Sequence, residues 1–148
     1  MESNVELISV NKSDCEYVYR LLCSLEQTEF EYSIFQNNYL SNLNNENVHY
    51  FVVMYKNEKC GFISIHSQIL LHHNSKIGEI QEFIIDEKYR QKGIGRNVIK
   101  IVKEFCIKNN IEQLEVCTNK IRLDTKRFYA DNGFIESHYK YTMKIEKT

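Results

Sequence analysis

Residues 80–95 read I-Q-E-F-I-I-D-E-K-Y-R-Q-K-G-I-G, an apolar strand that breaks into a basic loop whose two glycines open an amphipathic helix. That junction suits an anion. Main-chain N–H groups at a helix start, glycines that allow close approach, and Arg90, Lys92 and Arg96 around them favour a polyphosphate ligand. The plain alternative is a turn with solvated basic residues, so the flanks must decide. A P-loop requires Gly-Lys-Ser/Thr, whereas Gly95 is followed by Arg96 and Asn97. A dinucleotide fingerprint requires a third glycine where Val98 stands and a tight turn straight off the strand, but Ile85 and Gly93 are too far apart for that. Glu115 does lie about 20 residues on, yet no second nucleotide-binding half follows.

Arg90-Gln91-Lys92-Gly93-Ile94-Gly95 fits, position by position, the pattern Arg or Gln, two residues, Gly, one residue, Gly or Ala. It resembles the acetyl-coenzyme A loop of the GNAT acetyltransferases. The preceding Phe83-Ile84-Ile85-Asp86-Glu87 resembles the strand end that leads into that loop; Glu87 stands where the family often has proline, and the chain contains no proline. A second stretch, Arg122 to Gly133-Phe134 with Phe128-Tyr129 inside it, resembles the second motif of the same family. The likeness extends further. Tyr19–Phe30, His66 with Leu71-His72-His73, Ile77–Glu82 and Glu136-Ser137-His138 are similar to aminoalkylphosphonate N-acetyltransferases of the carbon–phosphorus lyase gene cluster.

The resemblance implies a fold, a reaction and a set of roles. The fold is α/β (α+β by some schemes), with a mixed, mostly antiparallel twisted sheet of six to seven strands flanked by about four helices. The reaction moves an acetyl group from acetyl-CoA to a primary amine, by direct attack with a glutamate base and a tyrosine acid. Such an amine is mostly charged near neutral pH, its pKa being roughly 10.4 as in lysine, so a carboxylate must help to deprotonate it. Glu79 is the first candidate for that base and Glu82 the second; for both, a salt bridge or an exposed strand edge is the plain alternative. Main-chain groups across Phe83, Ile84 and Ile85 are expected to hold the pantetheine arm, with the Ile85 N–H at the developing oxyanion. Gln91, Lys92, Gly93, Ile94, Gly95 and Arg96 follow Arg90 around the pyrophosphate. Arg122, Lys126 and Tyr129 complete the cofactor set, Tyr129 protonating the thiolate. Substrate contacts fall to His66, His73 and Tyr32. The phosphonate-acetylating relatives suggest a divalent ion, though the spacing of His66, His72, His73 and Glu79 is no metal signature.

Other readings stay open at this stage. The amine could belong to an aminoglycoside, polyamine or amino sugar, or the chain could be a coenzyme-A-binding module without catalysis, which the retained Tyr129 and Glu79 argue against. A phosphonate calls for a cationic or metal-bearing pocket and a polyamine for an acidic one.

The elements that must position these residues follow from patterning. At 148 residues the chain is read as a single domain, 1–148, and its composition of 43% hydrophobic and 26% charged residues with net charge −1 is that of an ordinary globular protein. The positive charge is local to one loop, so neither nucleic acid nor a membrane is expected as partner. Without a leader-like N-terminus or a membrane-length apolar run, a cytoplasmic location is expected. Five scattered cysteines without a C-x-x-C pair are read as packing residues, Cys117 among them. The alternation of Val5–Val10 predicts a first strand. Ser13 and Glu16 predict a capping box for a helix reaching Glu26, with Val18, Leu21, Leu22 and Leu25 facing the core. An aromatic helix over 32–43 should roof the substrate site. A hairpin of 48–55 and 61–71 and a strand over 77–85 come next. Ile94, Val98, Ile101, Val102 and Phe105 mark the face of a helix over 93–109. A strand over 113–117, a helix over 123–131 stopped at Asn132-Gly133, and two strand-like runs within 134–145 close the chain. The last of these could pair across a homodimer.

Overall fold

The computed structural model describes residues 4–147. They divide into two compact units, the first ending at Val116 and the second beginning at Cys117. In the first unit, strands β1 (Val5–Ser9), β2 (Val48–Tyr55), β3 (Glu58–Leu70), β4 (Ser75–Ile85) and β5 (Ile111–Val116) lie side by side in chain order. The first three pairings are antiparallel and β4–β5 is parallel. Helices α1 (Cys15–Glu26) and α2 (Tyr32–Leu43) connect β1 to β2, and α3 (Ile94–Lys108) connects β4 to β5.

Each local choice has a physical cause. Lys56 and Asn57 both take left-handed backbone angles (φ 49° and 67°), which matches a two-residue turn to the twist of the β2–β3 hairpin. Strand alternation puts Tyr50, Phe62 and Ile84 on one sheet face, where Cys15, Val18, Leu21 and Tyr39 from α1 and α2 cover them. Val53, Ile63 and Ile65 turn to the other face. Together with Val98, Ile99 and Val102 of α3 they are at most 1% exposed. Full burial of such side chains contributes roughly 1.5–3 kcal/mol each.

Three sequence expectations are corrected here. The capping box sits earlier than Ser13 and Glu16: Asn11 accepts from the Ser13 N–H at 2.9 Å and the Asp14 carboxylate accepts from the Asn11 N–H at 2.9 Å. A short 3₁₀ turn, Lys12–Asp14, therefore precedes α1. On α3 the buried stripe is Ile94, Val98, Ile99, Val102 and Cys106, turned slightly from the expected one, while Phe105 packs edge-on against His49 and Phe51. Both stripes obey the 3.6-residue period, so periodicity alone does not separate them.

The third correction concerns the second unit. Helix α4 (Leu123–Asp131) ends as its sequence predicts, in a paired cap: Gly133 N–H donates to the Ala130 carbonyl at 3.2 Å and Phe134 N–H to the Tyr129 carbonyl at 3.0 Å. Gly133 takes φ 92°, which favours glycine. Beyond it, residues 134–147 contain no strand, so the sheet has five strands among the described residues rather than six to seven. The alternating Tyr139, Tyr141, Met143 and Ile145 stand more than 80% exposed, because a strand pattern forms a strand only when a neighbour supplies the ladder. Cys117 is exposed rather than packed, whereas Cys15, Cys60 and Cys106 are buried. No helix among the described residues is long and apolar enough to cross a membrane.

Candidate active site

Beneath α1 and α2 the first unit opens into a cleft of about 600 Å³. Its wall is aromatic: Phe30, Phe35, Tyr39, Tyr50 and Phe62 follow one another with ring centroids 5.5–6.5 Å apart. Three carboxylates, Glu26, Glu31 and Glu82, and two amides, Asn38 and Asn42, supply the polarity; Lys, Arg and His are absent from the lining among the described residues. Glu31 caps α2, and hydrogen bonds from the Ser33 hydroxyl and the Ile34 N–H hold its carboxyl below the ordinary range. Asn42 donates its amide to the Tyr50 hydroxyl at 2.6 Å, which leaves the Tyr50 O–H to donate elsewhere. Burial raises the Tyr50 pKa, the Asn42 bond opposes this, and the Glu82 charge adds to the rise.

Glu82 reaches this cleft because β4 is irregular. Ser64 pairs with Glu82, Ile65 with Ile80 and His66 with Glu79, so Gln81 is an extra residue on β4. In a regular strand, Glu79 and Glu82, three apart, would point to opposite faces. The bulge returns both to the face that carries Ser64 and His66. Glu82 lines the cleft, whereas Glu79 lies further along the same face, between His66 on β3 and Glu115 on β5.

The end of β4 feeds the basic loop. Glu82 N–H donates to Ser64 Oγ and Asp86 N–H to the Cys60 carbonyl, so even-numbered residues turn their main-chain groups toward β3. The main-chain groups of Phe83 and Ile85 therefore turn the other way, along the stretch where the β4–β5 ladder has already ended at Ile80–Val116. The Ile85 carbonyl there accepts from Arg90 Nε at 3.0 Å. Ile84 differs: its side chain belongs to the core under α1 and α2. Gln91 and Gly93 are left-handed (φ 63° and 74°), and Gly93 caps α3 with no side-chain acceptor on the first helical amides. Lys92 and Arg96 are exposed beside them, Ile94 is buried and Gly95 half-buried. Helix N–H groups left without a side-chain cap, with cations around them, form an anion cradle.

In the second unit, Arg122 precedes α4, and Lys126 pairs with Glu136 at 3.0 Å on the surface. Tyr129 is buried, its ring edge-on to Phe128 and Phe134 at 5.2 Å, and burial pushes its hydroxyl up to about 12. The three expected substrate contacts are not brought together. Tyr32 packs edge-on against Tyr19 at 4.9 Å outside the cleft lining, His73 sits in the β3–β4 turn, and His66 lies opposite Glu79. His72 and His73 face each other at 4.4 Å, and among the described residues no three His, Cys, Asp or Glu gather as metal ligands. The divalent ion that the resemblance suggests therefore has no ready-made three-ligand set among the described residues.

Ser64, Tyr50, Asn38, Asn42 and Glu26 were not among the expected site residues. Only Ser64 had a usable signal, a lone hydroxyl inside the apolar run G-F-I-S-I.

A bulged strand that runs on past the end of its parallel pairing and leads directly into an uncapped, glycine-opened helix start is the arrangement expected of an acyl-coenzyme A transferase. Residues 14–134 match the Acetyltransferase (GNAT) family. An aminoalkylphosphonate N-acetyltransferase from Salmonella typhimurium is 36% identical over 140 residues, 95% of this chain and 91% of that protein. Among solved structures, a transcriptional regulator from Bacillus halodurans superposes with a TM-score of 0.85 at 19% identity, covering 95% of this chain and 99% of that one. A possible acetyltransferase from Clostridium difficile gives 0.83 at 20% identity, covering 98% and 100%. The chain belongs to the GNAT acetyltransferase family, whose acetyl donor is acetyl-CoA.

Proposed function

We propose that this acetyltransferase acetylates the primary amine of a small aminoalkylphosphonate, with Glu82 as the base that frees the nitrogen. The observation that carries the reading is the single segment from Glu82 to Gly95, which runs from a carboxylate in the acceptor cleft directly into the anion cradle. The similarity to an aminoalkylphosphonate N-acetyltransferase supports the substrate.

In this mechanism the substrate ammonium docks against Glu82 and passes one proton to it, directly or through a water that Glu79 helps to hold. The neutral nitrogen attacks the thioester carbonyl carbon, and the carbonyl electron pair moves to oxygen, where the Ile85 N–H stabilises it; one such donor is worth roughly 3 kcal/mol. Collapse breaks the C–S bond and sends its electron pair to sulfur. Phe83 and Ile85 hold the pantetheine arm through their main chains, residues 90–96 the pyrophosphate, and Arg122 and Lys126 further cofactor groups. Tyr129 donates a hydrogen bond to the leaving sulfur. A phenol at about 12 is a weaker acid than a thiol near 8.5, so the proton finally kept by sulfur comes from the attacking nitrogen, with Tyr129 as relay.

One observation favours a second reading, a di- or polyamine acceptor. Among the described residues three carboxylates and no cation line the cleft, which suits two ammonium groups better than an ammonium and a phosphonate. The experiment that separates them is an amine panel with acetyl-CoA, containing aminomethyl- and aminoethylphosphonate, a linear diamine and an aminoglycoside, run with and without chelator. The phosphonate reading requires the highest kcat/KM for the phosphonates. A diamine ahead of them by tenfold or more would replace it, and loss of turnover with chelator would restore a metal to the reaction.

A further inference from the structure

We infer that Ser64 is a positioning residue for the reaction, holding the Glu82 carboxylate in its productive orientation; this rests on the reading of Glu82 as base. Ser64 is fully buried at the one place where the β3–β4 ladder is interrupted. Its oxygen accepts the Glu82 main-chain N–H at 3.0 Å, and its proton is donated to Glu82 Oε1. One hydroxyl therefore closes a ring through the main chain and side chain of the same glutamate. Gln81 provides the bulge that turns Glu82 toward the cleft, Ser64 fills the gap the bulge leaves in the ladder, and the same bond fixes the carboxylate rotamer. With Oε1 tied, Oε2 is the oxygen left to take the substrate proton.

Tyr50 completes the arrangement from the other side. It is the cross-strand partner of Ser64 on β2, it lines the cleft, and its hydroxyl is committed as a donor by the Asn42 amide. The acceptor end of the cleft thus presents one carboxylate oxygen and one phenol proton from a single row across three strands. A buried hydroxyl of this kind could serve the fold alone by satisfying the Glu82 amide, and the test must separate that role from positioning.

The experiment is a double-mutant cycle on kcat with a saturating primary amine, using wild type, Ser64→Ala, Glu82→Gln and the double variant, each checked for thermal midpoint. Ser64→Ala is expected to lower kcat roughly tenfold, the scale of one hydrogen bond to a charged group, with KM for acetyl-CoA unchanged. In the Glu82→Gln background the same substitution should have no further effect, because Ser64 acts only through that carboxylate. Equal losses in both backgrounds, or no loss in the wild-type background, would overturn the inference. Full activity of Glu82→Gln would instead remove Glu82 as the base. If Ser64→Ala does not fold, Ser64→Cys keeps the volume, weakens the donor and carries the same cycle.

Discussion

Tyr129 and Asp14 are both buried ionisable groups, and they answer burial in opposite ways. For Tyr129 no partner charge offsets desolvation, and the hydroxyl rises to about 12. Its neutral form is thus favoured in the fold, a contribution fully present below pH 10 and lost only as pH rises through about 12. Tyr129 should therefore put no basic limb on the rate profile in the working range. Tyr129→Phe should lower kcat by about a hundredfold, as expected for a positioned proton donor, with KM for acetyl-CoA little changed. Unchanged turnover would remove it from the chemistry. Burial also raises the Asp14 carboxyl, but the hydrogen bonds from Lys59 and Asn11 and the Lys59 charge at 2.7 Å outweigh it, and the pKa falls below its ordinary 3.8. The stability this supplies is present above that value and lost as pH falls through the lower folded one. Asp14→Asn should cost roughly 1–3 kcal/mol by urea denaturation at neutral pH, and the cost should shrink as pH falls through the lowered carboxyl pKa. A pH-independent difference would mean that packing rather than charge dominates there.

At the level of elements, the loop before α3 depends on the backbone that Gly93 allows. A side chain there would meet open space, so the penalty of substitution is conformational and not steric. Gly93→Ala should destabilise by roughly 1–2 kcal/mol and raise KM for acetyl-CoA several-fold while kcat holds, since binding and chemistry occupy different parts of the segment. A fall in kcat alone would place the glycine in the chemical step. Most elements were legible because their signals were redundant. α2 and α4 match their predicted bounds, Tyr32–Leu43 and Leu123–Asp131, because an aromatic stripe and a terminal glycine respectively mark them. The capping box was misplaced because Asn11 and Ser13 are equally good caps by type, and only the burial of Asp14 decides between them. The Gln81 bulge carried no usable signal: the one glycine of β4, Gly78, lies three residues earlier in the regular part of the ladder. Consequently the order of preference between Glu79 and Glu82 rested on resemblance, while the cleft favours Glu82.

Across the whole chain, the candidate site was half legible. The proposed phosphate cradle is a local feature, its glycines and basic residues lying within 90–96. The acceptor cleft could not be read from the sequence, because Glu26 on α1, Asn42 on α2, Tyr50 on β2 and Glu82 on β4 meet only through helix packing on the sheet and strand register. Residues 134–147 show the same limit. Their alternation predicts strands, yet they have no ladder, so their amides should exchange with solvent much faster than those of β2, β3 and β4. Protection that appears only at high protein concentration would support pairing between two copies of the chain.

Acetyl transfer by the cleft carboxylate together with the adjoining cradle is tested by steady-state release of coenzyme A from acetyl-CoA in the presence of aminoethylphosphonate, with wild type beside Glu82→Gln. The wild type should turn over, and the variant should show a kcat lower by about a hundredfold or more with KM for acetyl-CoA unchanged. Wild-type speed in the Glu82→Gln variant would contradict that role of the carboxylate.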